Sequence, residues 1–299
     1  MESITVPSYG PQGRSPWLDV DWQAHQRWIT VGTSAVNTIS LGEGPAVVFV
    51  HGLSGSWPNW LEQLPVLARS HRAIALDLPG FGHSPMPRDE ISIAGYADLL
   101  DKLLTQLGVD AAAVVGNSMG GFIAAELAIT APQRVERLVL VSAAGLSTHN
   151  DPRTGAAIPA LRRAERILLA GGAWAASRSD TLAKRRRVRR ATLAVVAAHP
   201  ERLPGALAAE QIRGAGKPGF TQALQAIYAY DVRERLSQIA CPTLIVWGAD
   251  DRLIGVADAD VFTELIPDSR KVVYEDTGHV AMLERPAAFN ALLEEFLAE

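Results

Sequence analysis

Short apolar runs alternate along this chain with longer stretches whose apolar residues recur at helical spacing, and the alternation predicts a layered α/β protein. Strands are expected near Trp22 to Val31, Asn37 to Leu41, Val47 to Val50, Arg72 to Leu76, Ala111 to Val115, Leu138 to Val141, Thr243 to Trp247 and Lys271 to Tyr274. The runs Ala111 to Val115 and Pro242 to Trp247 are continuously apolar, as befits strands covered on both faces. Helices are expected near Trp57 to Ala68, Ile93 to Leu107, Gly120 to Thr130, Val256 to Leu265 and Pro286 to Leu297. The last six strands alternate with helices, so neighbouring strands are joined by crossovers and run parallel. A site in such a sheet lies at the carboxyl ends of the strands.

The pattern changes between the strand ending near Ser142 and the one beginning at Pro242. From Asp151 to Arg235 there are sixteen Lys or Arg against seven Asp or Glu, a net +9. With −4 over the whole chain, the remainder carries −13. So sharp a shift marks an insertion. Within it, Leu161, Ala164 and Leu168 recur at near-helical spacing opposite arginines over Ile158 to Ala176, a pattern interrupted at Gly171 and Gly172. A second helix is expected over Thr181 to Ala198 and a third over Thr221 to Tyr230. The run Lys184 to Arg190, "KRRRVRR", reads first as a solvated helix face, and second as a field that steers acidic substrates.

Composition narrows the class. At 299 residues and 48% hydrophobic, the chain can bury a large core, and its length suits one α/β domain with an insertion. The opening "MESITVPSYGPQGRSP" is polar and turn-rich, so residues 1–16 are expected to form a flexible arm, with no signal peptide and no membrane span. A single cysteine, Cys241, excludes an intrachain disulfide, and no metal-ligand spacing occurs. The modest net charge carries no nucleic-acid signature. A cytoplasmic enzyme without metal or cofactor, acting on a small molecule as monomer or homodimer, is the expectation.

The chemistry concentrates at Val114-Val115-Gly116-Asn117-Ser118-Met119-Gly120-Gly121. This is G-x-S-x-G, placed where an apolar strand gives way to a helix, the nucleophile elbow that lifts a serine hydroxyl clear of the backbone. Ser118 then stands at a helix N-terminus beside N–H groups able to hold an oxyanion. A serine needs a histidine to take its proton and a carboxylate to orient that histidine. Of seven histidines, His279 in "VVYEDTGHVAMLERP" follows a strand in a glycine-containing loop. Asp250 and Asp251 follow another strand in "PTLIVWGADDRLIG". His83 is read as a loop hydrogen-bonding residue. His25, His71, His149 and His199 have no carboxylate-rich or cysteine-rich setting, and surface or core positions are expected of them.

These segments, with "VVFVHGLSGS", "AIALDLPGFGHS" and "RLVLVSAAG", resemble the α/β-hydrolase superfamily from His51 to the final helix. The chain order Ser, Asp, His is the one found there. The resemblance implies a mostly parallel eight-stranded sheet flanked by helices, with core segments 17–145 and 233–299 and an inserted helical cap at 146–232. Carried over by position, Asp251 is the triad acid, and the oxyanion N–H groups belong to Leu53 and Met119. His51 and Gly52 shape the oxyanion loop. Trp57, Trp60 and Val280 are candidate pocket residues.

An acyl-enzyme serine hydrolase acting on small to medium apolar carboxylic esters is the leading expectation. Carbon-carbon bond hydrolysis of vinylogous diketones is the alternative, although "HGLSGS" lacks a further glycine-rich extension and Val280 stands where that subgroup carries tryptophan. Lactonases and cofactor-free perhydrolases or haloperoxidases follow, and a non-catalytic ligand receptor on the same fold is the reading from another class.

Overall fold

The computed structural model describes residues 3–4, 6, 8–147 and 171–299. Nine strands form one sheet: β1 (Ser3–Ile4), β2 (Gln26–Val31), β3 (Ser34–Leu41), β4 (Ala46–Val50), β5 (Arg72–Leu76), β6 (Ala112–Asn117), β7 (Val135–Val141), β8 (Thr243–Gly248) and β9 (Ser269–Tyr274). Their order is β1-β9-β8-β7-β6-β4-β5-β3-β2. Among the described strands β3 alone runs against the rest, antiparallel to both β2 and β5, and the other pairings are parallel. The eight expected strands are all present, and the two-residue β1 extends the parallel edge beside β9. Residues 22–25, expected as strand, form one helical turn, α1 (Trp22–His25), ahead of β2.

Successive strand residues point to opposite faces, so each buried strand feeds two core layers. Val48, Val50, Val114, Leu138, Leu140 and Ile245 pack in one layer with α3 (Ile93–Gln106) and α4 (Met119–Thr130). Val47, Phe49, Val115, Val139, Val141 and Val246 pack in the other, with α2 (Leu64–Leu67) and the last helix, Pro286–Ala298. Helix α4 is buried continuously from Met119 to Ala128, which explains why its sequence is apolar all round. Expected helix Trp57 to Ala68 is broken into a 3-10 turn, Trp57–Trp60, and α2. Pro58 and Pro65 each occupy a first-turn position, where a missing N–H costs nothing, and so start separate elements.

Between β7 and β8 the described part of the insertion is helical: residues 171–176, then α5 (Ser179–Ala183), α6 (Arg186–Leu193), α7 (Gly205–Arg213) and α8 (Phe220–Ala229). The Gly171-Gly172 pair lies within the first of these, while residues 158–170 of that expected helix, and His149, lie outside the described residues. The single helix expected over 181–198 is two, parted at Lys184 and Arg185. Arg189 departs from the solvated-face reading: it is buried, donating to the carbonyls of Ala183 (2.5 Å) and Glu201 (2.9 Å), while Lys184, Arg185, Arg186, Arg187 and Arg190 are exposed.

Residues 8–16 are not the loosely held arm expected from their composition. Tyr9 is buried and its hydroxyl donates to Glu284 (2.7 Å), the Gly10 amide donates to the Glu284 carbonyl (2.6 Å), and Ser15 donates to Glu62 (2.7 Å). Glycine and proline here permit close docking, since Tyr9, Gly10 and Ser15 all find partners in the folded body, while Gln12 and Arg14 bond within or next to the segment.

Candidate active site

Strand register brings the chemical groups together. The chain leaves β4 for β5 on one side and crosses back to β6 on the other, so the topological switch point, where sites in such sheets form, lies at the carboxyl ends of β4 and β6. Val50 is level with Gly116, and therefore the loop starting at His51 and the turn at Ser118 emerge side by side. Ser118 adopts φ 56°, ψ −119°, a conformation rarely held by a residue with a side chain. The turn is possible only because its glycines lack Cβ atoms. One added at Gly116 would stand 2.2 Å from the Gly120 carbonyl oxygen, and one at Gly120 would stand 2.1 Å from that of Val50. A Cβ on Gly52 would lie 3.0 Å from the Ser118 Cβ, which fixes how closely the two loops approach. Met119 opens α4, so its N–H is one of the four without an intrahelical partner.

On the other side of β7, Gly248 is level with Tyr274, and the loops after β8 and β9 run together. The Asp250 amide donates to the Thr277 carbonyl (2.9 Å). His279 Nδ1 lies 2.8 Å from Asp251 Oδ2, with the two side chains 5% and 0% exposed. Asp251 Oδ1 accepts the amides of Leu253 (2.9 Å) and Ile254 (3.0 Å), which aims the carboxylate at the imidazole, whereas Asp250 is exposed. The carboxylate can only accept, so Nδ1 is the donor to Asp251, and in the neutral imidazole Nε2 is then the acceptor. The Asn117 amide donates to the carbonyls of Val141 (3.0 Å) and His279 (3.2 Å), tying the histidine loop to the residue beside Ser118.

His51 shapes the neighbouring loop. Its Nε2 accepts the Leu78 amide (3.0 Å), so the proton sits on Nδ1 and is donated to the Gly52 carbonyl (2.8 Å). Complete burial lowers its pKa, overriding the opposite pull of Asp77. Leu53 is half-buried, and Ser54 holds φ 61° as the Gly55 amide turns back to Gly52 (2.9 Å).

Two further carboxylates, given no role by the sequence, organise the loops around the site. Asp77, fully buried, accepts the amides of Trp57 (2.8 Å) and His83 (2.8 Å) and the Asn37 side chain (2.8 Å), knitting the loop after β4 to the loop after β5. His83 makes its hydrogen bond through the backbone amide, while Nδ1 of its exposed ring lies 3.8 Å from the same carboxylate. Glu284, also fully buried, accepts Tyr9 and the amides of Ala198, Gly278 and Val280. Burial raises its pKa while these donors pull it back. Both acids lie in segments that carry the family resemblance, "AIALDLPGFGHS" and "GHVAMLERP", but nothing local in those segments marks the partners they bind.

The pocket candidates divide. Trp60 is wholly buried on Phe49, centroids 5.1 Å apart, and is a core residue rather than a pocket wall. Trp57 is half-buried and packs on Trp22 at 4.9 Å. Val280 is buried next to His279. His199 does have a carboxylate setting, contrary to expectation: Nε2 pairs with Asp276, and Nδ1 lies 3.8 Å from Glu201. Among the described residues, no cluster of three or more His, Cys, Asp or Glu is arranged to hold a metal, and no helix is long and apolar enough to cross a membrane.

A serine on a strained strand-to-helix turn at the carboxyl edge of a parallel sheet defines an α/β hydrolase. The model of the alpha/beta hydrolase fold family matches residues 45–286, and the chain belongs to that family. The chain is similar over 86% of its length to a putative carbamate hydrolase, RutD, of Shigella flexneri, at 30% identity and covering 92% of that protein. It is 34% identical over 263 residues to the dihydrolipoyllysine-residue acetyltransferase component of an acetoin cleaving system of Cupriavidus necator, of which it spans 64%. Among solved structures, one described as an N-acyl homoserine lactone degrading enzyme aligns with a TM-score of 0.72 at 28% identity, over 90% of this chain and all of that one. A serine hydrolase involved in carbazole degradation aligns with a TM-score of 0.71 at 25% identity, over 91% of this chain and 98% of that one.

Proposed function

We propose that this hydrolase cleaves small to medium, largely apolar carboxylic esters through an acyl-enzyme on Ser118. The observation that carries the reading is the buried 2.8 Å contact of His279 Nδ1 with Asp251, in a loop tied through Asn117 to the strained serine turn. His279 Nε2 takes the Ser118 proton as Oγ adds to the ester carbonyl. The oxyanion is held by the amides of Leu53 and Met119, and the alcohol leaves with the proton carried by His279. Water, deprotonated by the same nitrogen, then attacks the acyl-enzyme and releases the acid with Ser118 restored. Lactones are cyclic esters open to the same steps, and the likeness to a lactone-degrading enzyme makes them the second substrate class.

A panel of p-nitrophenyl esters of graded chain length, an acyl homoserine lactone and a ring-fission diketone tests the reading. Esters are expected to be turned over with efficiency rising with acyl length, each buried CH₂ adding roughly 0.8 kcal/mol until the insertion blocks extension. Ser118→Ala is expected to cost on the order of 10³-fold or more in kcat, and Asp251→Asn far more than Asp250→Asn. Diketone cleavage orders of magnitude faster than any ester, or fluorophosphonate labelling at a residue other than Ser118, refutes it.

A further inference from the structure

The chain ahead of the matched family region reaches into the neighbourhood of His279. Tyr9 lies well before residue 45, where the family match begins, yet its ring is buried between the guanidinium groups of Arg202, 4.7 Å from the ring centroid, and Arg285, at 5.0 Å. Its hydroxyl donates to Glu284 Oε2 (2.7 Å) and accepts the His199 amide (2.9 Å). Arg285 also donates to the Val6 carbonyl (3.0 Å), fastening the strap a second time.

Glu284 passes this anchorage on. Its carboxylate accepts the Gly278 amide with both oxygens (3.0 Å each), the Val280 amide (3.4 Å) and the Ala198 amide (2.8 Å). The residue on each side of His279 is thus held by one side chain. The His279 amide itself donates to the Val196 carbonyl (3.0 Å), in the same segment of the insertion that Glu284 and Tyr9 hold at Ala198 and His199. That segment packs so closely that a Cβ on Gly278 would stand 2.8 Å from the Ala198 nitrogen. Every partner of the carboxylate is a donor, so both oxygens serve here as acceptors.

We propose that Tyr9 and Glu284 form a clamp that positions His279, with the N-terminal strap completing the site by locking the histidine loop to residues 196–199. Neither residue touches the reacting atoms; both are positioning residues, and the catalytic part of the claim rests on the serine hydrolase reading above. A displacement of about 1 Å in a catalytic group costs on the order of 10²-fold in rate, so the clamp acts on kcat rather than on substrate binding.

The test compares full-length wild type, Tyr9→Phe, Glu284→Gln and Leu103→Ala, the last a buried substitution on α3 in the other core layer. The readouts are kcat and KM for p-nitrophenyl butyrate, Ser118 labelling by a fluorophosphonate, thermal stability, and the far-downfield proton resonance of His279 Nδ1–H on Asp251. Glu284→Gln is expected to lower kcat and labelling about 100-fold and Tyr9→Phe about 10-fold, with KM within about twofold. Both should broaden or abolish the resonance, which Leu103→Ala should keep at comparable loss of melting temperature. Rates within twofold of wild type in both variants, a change confined to KM, or losses that merely track stability as in Leu103→Ala would overturn the clamp. Should Glu284→Gln fail to fold, Tyr9→Phe alone decides. If the wild type neither hydrolyses the ester nor labels, the hydrolase reading fails, and an unaltered resonance in both variants separately refutes the clamp.

Discussion

At Ser118, stability and chemistry pull in opposite directions. A residue with a Cβ at φ 56°, ψ −119° costs about 1–3 kcal/mol, and the site bears that cost because the turn exposes the hydroxyl above α4. Glycine holds such a backbone without penalty. Ser118→Gly is therefore expected to be more stable than Ser118→Ala by about 1 kcal/mol in urea unfolding, with both inactive; equal stabilities would show that the turn is unstrained. The serine and its glycines were legible in the sequence because the steric demand is local. Asp77, Glu284 and Tyr9 were not, because their roles come from bonds such as Asp77 to Asn37 and Tyr9 to Glu284, spanning 40 and 275 residues. No local pattern encodes a partner that far away.

Among the elements, those buried on both faces were the most legible. Strands β6 and β8 consist of apolar runs that only a covered strand explains, and their ends place Ser118 and Asp251. Helix α7 was missed because it opens on Pro204-Gly205 and buries mainly alanine with Leu207 and Ile212, too weak a pattern to stand out. The insertion's return to the core has an anchor of its own. Glu126, buried in α4, accepts Arg235 at 3.0 Å and 3.2 Å, and Arg235 also donates to the Tyr230 hydroxyl (2.8 Å). Removing the cation would strand a buried carboxylate, but Arg235 is 34% exposed, so the loss is smaller than for a wholly buried pair. Arg235→Leu is expected to cost about 2 kcal/mol in urea unfolding, and adding Glu126→Leu to restore most of it. A double variant no more stable than the single one would show that packing, rather than stranded charge, sets the cost.

Over the whole molecule, two buried titratable groups give stability opposite dependences on pH. His51 has its pKa lowered by burial from the ordinary 6.5, so it stabilises the fold above that value. As pH falls below 6.5, the unfolded chain takes up a proton that the folded one refuses, and this stability is lost through the folded pKa. Glu284 has its pKa raised by burial from 4.5, so its contribution is full below 4.5 and is lost as pH rises through the folded value. Between about 4.5 and 6.5 the two slopes oppose, and the wild type should show a shallow dependence there. Each replacement should then uncover the other group. Relative to the wild type, His51→Gln is expected to gain stability as pH falls across this window, because Glu284 is then unopposed by His51, and Glu284→Gln to lose it, because His51 is then unopposed by Glu284. Denaturant unfolding of the three proteins at half-unit steps of pH would check this. Parallel curves in all three would mean that neither group titrates differently in the folded and unfolded chains, and that acid sensitivity arises from the other carboxylates.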